Sequence, residues 1–194
     1  MTHPDPPASF ELLVRKLTGG WLRIHSSRHG AIFFGNKSTP GANRFDAPAG
    51  EFGALYVGRD AHCAFVETFL HATGVRFVTT ASLSQRTLSV VEARRPLRLA
   101  DLRGEGLARM GADASLAAGT DYTLTQKWSK AIHEHPRKPD GIVYRARHDP
   151  KRSAVALFER VEPELTTHAL GTLSDPGQAN LLADILDTYE VGLI

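Results

Sequence analysis

One short helical segment constrains this chain more than any other: Ala61-His62-Cys63-Ala64-Phe65-Val66-Glu67-Thr68-Phe69-Leu70. It is apolar nearly all round, and such a helix must be covered by other elements. Glu67 sits inside it. A buried carboxylate costs several kcal/mol unless a partner or a reaction uses it, so this position demands an explanation. Asp60 stands where an N-cap belongs, and the strand Ala54-Leu55-Tyr56-Val57-Gly58 immediately precedes it.

The 194 residues suffice for one sizeable core, and we expect a single domain over 10–194 behind a proline-rich, disordered tail at 1–9. The formal charge is +2, and the basic residues are scattered, without the run that marks a nucleic-acid-binding arm. Cys63 is the single cysteine, which excludes an internal disulfide framework and a multi-cysteine zinc site. No segment approaches the roughly 18 to 20 apolar residues of a membrane span, and the amino terminus lacks a signal peptide's basic and apolar regions. The expectation is a cytoplasmic protein without membrane association or direct contact with nucleic acid.

Trp21-Leu22-Arg23-Ile24-His25 alternates as an edge strand does, and a long loop follows from Gly30 to Gly53, of the kind that in a compact domain is usually functional. Arg44 lies in that loop. Strands are expected at Thr87–Ala93, Leu97–Leu102, Gly141–Tyr144 and Ala154–Phe158, and helices at Gly106–Met110 and Tyr122–His133. A last helix starts with Asp175 as N-cap, Pro176 at its first position and Gln178 completing a capping box. This irregular interleaving predicts an α+β domain with a mixed sheet and flanking helices.

Each candidate residue also has a plain structural reading. Glu67 could be paired with a structural arginine, Arg44 could anchor its loop, and Tyr56 could be a core residue with a bonded hydroxyl. His133-Glu134-His135 superficially suggests a metal pair, but it falls where a helix ends before Pro136 and no third ligand is evident, so no metal is expected. Cys63 lacks a recognisable base and reads as a buried thiol.

Taken together, Trp21-Leu22-Arg23-Ile24, Asn43-Arg44-Phe45, Leu55-Tyr56, Ala64-Phe65-Val66-Glu67 and Asp140-Gly141-Ile142-Val143-Tyr144-Arg145-Ala146-Arg147-His148-Asp149-Pro150 closely resemble the RES-domain family, named for its arginine, glutamate and serine. The resemblance runs from about residue 20 to 160. It implies a fold similar to ADP-ribosyltransferase toxins and an activity that destroys NAD⁺ as a glycohydrolase or phosphorylase. NAD⁺ is then a substrate, with no separate cofactor, and an Xre-type antitoxin is the implied protein partner, in a homodimer or a toxin–antitoxin hetero-oligomer. On this reading Glu67 stabilises the ribosyl transition state, Arg23 and Arg44 hold the pyrophosphate, and Tyr56 stacks on nicotinamide or bonds the ribose. The chain departs from the family at Ala146, which stands where the Tyr-x-Ser-Arg pattern has its substrate-positioning serine. An ADP-ribosyltransferase acting on a macromolecule, and a silent module that only binds an antitoxin or nucleotide, are the rival readings.

Overall fold

The computed structural model describes residues 5–35 and 41–194; part of the expected tail (1–4) and of the long loop (36–40) lies outside the described residues. Among the described residues ten strands and six α-helices follow in the order β1 Val14–Leu17, β2 Gly20–Ser26, β3 Ala54–Gly58, α1 Ala61–Phe69, β4 Phe77–Val78, α2 Thr80–Ser84, β5 Arg86–Ala93 and β6 Leu97–Leu102, then α3 Glu105–Met110, α4 Ser115–Ala118, α5 Tyr122–Glu134, β7 Gly141–Arg145, β8 Ser153–Phe158, β9 Leu165–Thr172, α6 Ala179–Tyr189 and β10 Gly192–Leu193. Residues 5–9 have no regular structure, and Asp5 pairs with Lys127 Nζ at 2.8 Å.

Eight strands form one mixed sheet in the order β1-β6-β7-β8-β3-β2-β5-β9, with β6 and β7 parallel and every other neighbour antiparallel. The parallel pair requires a crossover, which α3, α4 and α5 supply. Although β5 and β6 lie five places apart in the sheet, only Arg94, Arg95 and Pro96 join them. The sheet must therefore fold over on itself. Its inner faces enclose Trp21, Leu55, Val91, Leu99, Val143 and Val155 in one core. On the far side of β6–β8, Ala100, Ile142, Tyr144 and Phe158 pack under α3–α5 with Trp128 and Ile132. These central strands are covered on both faces, which is why they read as continuous apolar runs. A third core holds α1, α2 and α6 against β2 and β5 through Phe65, Leu83, Ile185, Ile24 and Leu88.

Two expectations are corrected. β2 is an interior strand, with β3 on one side and β5 on the other; β1 and β9 are the edges. The terminal helix lacks the expected capping box. Asp175 instead accepts from the Thr172 backbone N–H at 2.7 Å and its hydroxyl at 2.8 Å, Gln178 Nε2 donates to Leu170 O, and Pro176–Gln178 form a 3₁₀ turn ahead of α6.

The feature that positions the site is a parting of strands. β2 pairs with β5 along its whole length, from Gly20↔Glu92 to Ser26↔Arg86, but meets β3 at Leu22↔Gly58 alone among the described residues. Beyond that point β2 and β3 diverge. The chain at 31–34 runs beside the gap, with Ala54 N–H donating to Phe34 O at 3.1 Å and the Arg23 guanidinium donating to Ala31 O and Phe33 O.

Candidate functional site

The parting strands open a cleft of about 530 Å³, walled by β2 at Leu22–Ile24 and by β3 at Ala54 and Tyr56–Gly58. α1 forms another wall. Its start is fixed as the sequence predicts: the Asp60 carboxylate accepts from Cys63 N–H at 2.8 Å. The helix lies close on β3 because Gly58 has no side chain; a Cβ there would stand 2.6 Å from Ala64 N. This places Glu67, on the second turn, at the cleft.

Glu67 is half-buried, and no ion pair within 4.0 Å engages it among the described residues. Its Oε1 accepts from Arg147 N–H at 3.3 Å. Burial raises its pKa above the ordinary 4.5, and Arg147 and Arg44 only partly oppose that shift. The plain reading, a carboxylate locked to a structural arginine, does not describe this residue. A carboxylate held poorly solvated in a cleft is a candidate functional group.

Arg44 is 8% exposed, with Nη1 donating to Gly119 O at 2.7 Å and its Cζ 4.8 Å from the centre of the Tyr122 ring. These contacts are to a neutral carbonyl and a ring face, so its charge faces no carboxylate within ion-pairing distance among the described residues. Arg23 lies across the cleft on β2, bonded likewise to carbonyls, and desolvation lowers its pKa to about 10, which leaves it charged at neutral pH. Each guanidinium keeps further N–H donors for an anion.

Tyr56 lines the cleft, but its hydroxyl is committed: it donates to Asp46 Oδ1 at 2.9 Å and accepts from Phe45 N–H at 2.9 Å. Burial, reinforced by Asp46, pushes its pKa well above 10, so it stays a donor. The group ties the Arg44 loop to β3. Ala146 is 1% exposed, packs in the core beneath α3–α5, donates its backbone N–H to Arg152 O and does not line the cleft.

The structure thus brings Glu67, Arg44, Arg23 and Tyr56 to one cavity, with Ala146 behind its wall. It adds residues given no role from sequence: Arg147, His71, Tyr122 and Tyr144. Arg147 was legible as the arginine of the Tyr-x-Ser-Arg pattern; the others arrive by tertiary folding. His148 also lines the cleft, and its Nε2 is buried without a hydrogen-bond partner among the described residues. His25 instead faces Ser89 Oγ at 2.9 Å. His133 stacks on Phe52 with centroids 4.1 Å apart, and His135 accepts from Arg137 N–H; no three His, Cys, Asp or Glu side chains converge as metal ligands among the described residues. Cys63 donates to Ser153 O, and burial pushes its pKa up to about 12, so it remains a thiol.

Fold and site together define an α+β domain whose mixed sheet opens on a cationic, aromatic-walled cleft around one carboxylate. The chain belongs to the RES domain family, which matches residues 21–175. It is 35% identical over 114 residues to "Probable toxin y4kH" of Sinorhizobium fredii (strain NBRC 101917 / NGR234), an alignment spanning 59% of this chain and 87% of that protein. Its fold is similar to that of a chain in the crystal structure of the M. tuberculosis MbcT-MbcA toxin-antitoxin complex, with a TM-score of 0.59 and 16% identity, covering 81% of this chain and 87% of that one. No helix among the described residues is long and apolar enough to cross a membrane.

Proposed function

We propose that this protein is a toxin that binds NAD⁺ in the cleft and cleaves the bond between nicotinamide and ribose, depleting the dinucleotide. The observation that carries this reading is Glu67, a partly buried carboxylate without an ion-pair partner among the described residues, in a cleft whose lining also includes Arg23, Arg44, Arg86 and Arg147. Nicotinamide in NAD⁺ is a cationic substituent that departs neutral, so its release needs no acidic second carboxylate, unlike ordinary glycosidases. One carboxylate is enough.

Glu67 offsets the positive charge that develops on the ribosyl ring, and fixed charge in a site poor in water acts most strongly there. With Oε1 held by Arg147 N–H, Oε2 is left to accept a ribose hydroxyl. Arg44 and Arg23 grip the pyrophosphate, where planar guanidinium groups make charge-assisted, bidentate bonds. Tyr122, partly exposed at the cleft, offers aromatic surface to a base. Tyr56 contributes its ring and holds the Arg44 loop, since its hydroxyl is already bonded on both sides. Because Ala146 lies behind the wall, its missing hydroxyl removes no direct contact from the cleft, which supports retained activity.

The similarity to a probable toxin and to a toxin–antitoxin complex supports a protein antitoxin as partner; on the reading proposed here, that antitoxin acts by blocking this cleft. The test is incubation of the purified protein with NAD⁺, with and without phosphate, and separation of the products. Nicotinamide with ADP-ribose identifies water as acceptor; nicotinamide with a phosphorylated ADP-ribose identifies phosphate. Intact NAD⁺ under both conditions would overturn the proposal.

A further inference from the structure

α5 carries an unexpected set of side chains. Its apolar face, with Trp128 and Ile132, packs in the core, yet Thr125, Gln126 and Ser129 are also buried, with Gln126 7% and Ser129 0% exposed. Buried polar groups cost stability unless bonded, so their partners say what they are for. Thr125 serves its own neighbourhood, donating to Leu116 O at 3.0 Å. Gln126 and Ser129 both reach the Arg44 loop. Gln126 Nε2 donates to Gly41 O at 2.9 Å and to Asn43 O at 3.0 Å, and Ser129 Oγ donates to Phe45 O at 2.7 Å.

Tyr122, whose ring carries the Arg44 guanidinium, stands four residues before Gln126 and seven before Ser129, a spacing that puts all three on one helical face. The residue at the other end of the loop agrees. Gly41 has φ +76°, and a Cβ there would lie 3.3 Å from Gln126 Oε1, so a glycine permits both the turn and the close approach of the amide. Two consecutive turns of one helix thus hold the guanidinium of a single arginine and the backbone on either side of it.

We propose that the Tyr122–Gln126–Ser129 face of α5 is the positioning element for Arg44, setting the guanidinium in the cleft before any ligand arrives. Pre-set geometry saves the ordering cost that a mobile arginine would bring to binding. The claim about Arg44 stands on the structure without ligand; its consequence for affinity rests on the NAD⁺ reading above.

Two measurements test it. The first needs no ligand: the Arg44 Nε–H resonance, assigned by comparison with Arg44→Ala, should be displaced by the Tyr122 ring and exchange slowly with water. In Gln126→Met, which keeps length and removes the amide, and in the milder Ser129→Ala, it should move towards the values of exposed arginines. A resonance unchanged in both variants would overturn the proposal. The second is a double-mutant cycle on NAD⁺ dissociation constants. Gln126→Met should weaken binding about tenfold in the wild-type background, the loss expected for about one net hydrogen bond, and less than twofold in Arg44→Ala. Equal losses in both backgrounds would mean that Gln126 supports the fold generally and does not act through Arg44. A wild-type protein that binds no NAD⁺ would overturn the functional reading and leave the resonance to decide the positioning.

Discussion

Replacing Tyr56 by phenylalanine separates two roles for one hydroxyl. The sequence places this tyrosine on substrate, whereas the structure spends its hydroxyl on the Arg44 loop, accepting from Phe45 N–H and donating to Asp46 Oδ1, both at 2.9 Å. Phe45 is 0% exposed, so its N–H would be left without water or another partner, at a cost of about 1–3 kcal/mol. Asp46 keeps its bonds from Asn43 through Oδ2 but loses a charged hydrogen bond at Oδ1. Because the ring itself is retained, no cavity term is added, and a net loss of about 3 kcal/mol is expected. For a domain of this size each kcal/mol shifts Tm by about 2–4 °C, so Tm should fall by roughly 6–12 °C. Thermal unfolding followed by circular dichroism measures the shift, and NAD⁺ turnover measured well below the transition should fall less than about a hundredfold. An unchanged Tm with turnover lost altogether would place the hydroxyl on the substrate and refute the loop-clamp argument.

Arg44→Lys keeps the charge but loses the planar contact with Tyr122 and the fork of N–H donors, so NAD⁺ affinity should drop about tenfold; titration calorimetry that finds wild-type affinity would remove the phosphate assignment. His133, desolvated against Phe52 and facing Arg160, has its pKa lowered from 6.5 to about 4. The unfolded chain then holds the extra proton between those values, so this contribution is full above pH 6.5 and is lost as pH falls towards 4. His133→Phe should gain on the wild type in urea midpoint as pH drops from 7.5 to 4, and a constant gap would refute the assignment. Ala146→Ser puts a hydroxyl behind the cleft wall, beside the residue whose N–H supports Glu67, so turnover should rise by no more than about tenfold, the effect of one hydrogen bond; a far larger gain would mean that the hydroxyl reaches substrate.

Legibility followed the range of the interactions. α1 was readable in full, since its Asp60 cap, apolar surface and lone carboxylate are all local signals. So was the apolar face of α5. The buried polar face of α5 was not, because Gln126 and Ser129 look like solvated residues until the loop they bond is folded over them. β2 alternates as a one-sided strand does, which misplaced it at an edge; its neighbours are set by pairing with distant β3 and β5. β9 carries no local strand signal, because Leu165-Thr166-Thr167-His168-Ala169-Leu170-Gly171-Thr172 is largely exposed, and β5 holds it through backbone pairing across a bulge at Leu88/Ser89. Four of the five candidates named from the resemblance, Arg23, Arg44, Tyr56 and Glu67, line one cavity, and Ala146 does not. The cleft between them was not legible, since it exists only where β2 leaves β3 after Leu22↔Gly58.

The central claim is that Glu67 is the charge that drives cleavage. Glu67→Gln preserves shape and can keep the bond from Arg147 N–H while removing the negative charge. The most direct measurement is the rate of nicotinamide release from saturating NAD⁺ by wild-type and Glu67→Gln protein, with thermal unfolding of both as the control for folding. A fall in turnover of about a hundredfold or more, with Tm maintained, is the predicted result. Equal rates from two equally folded proteins would contradict the account.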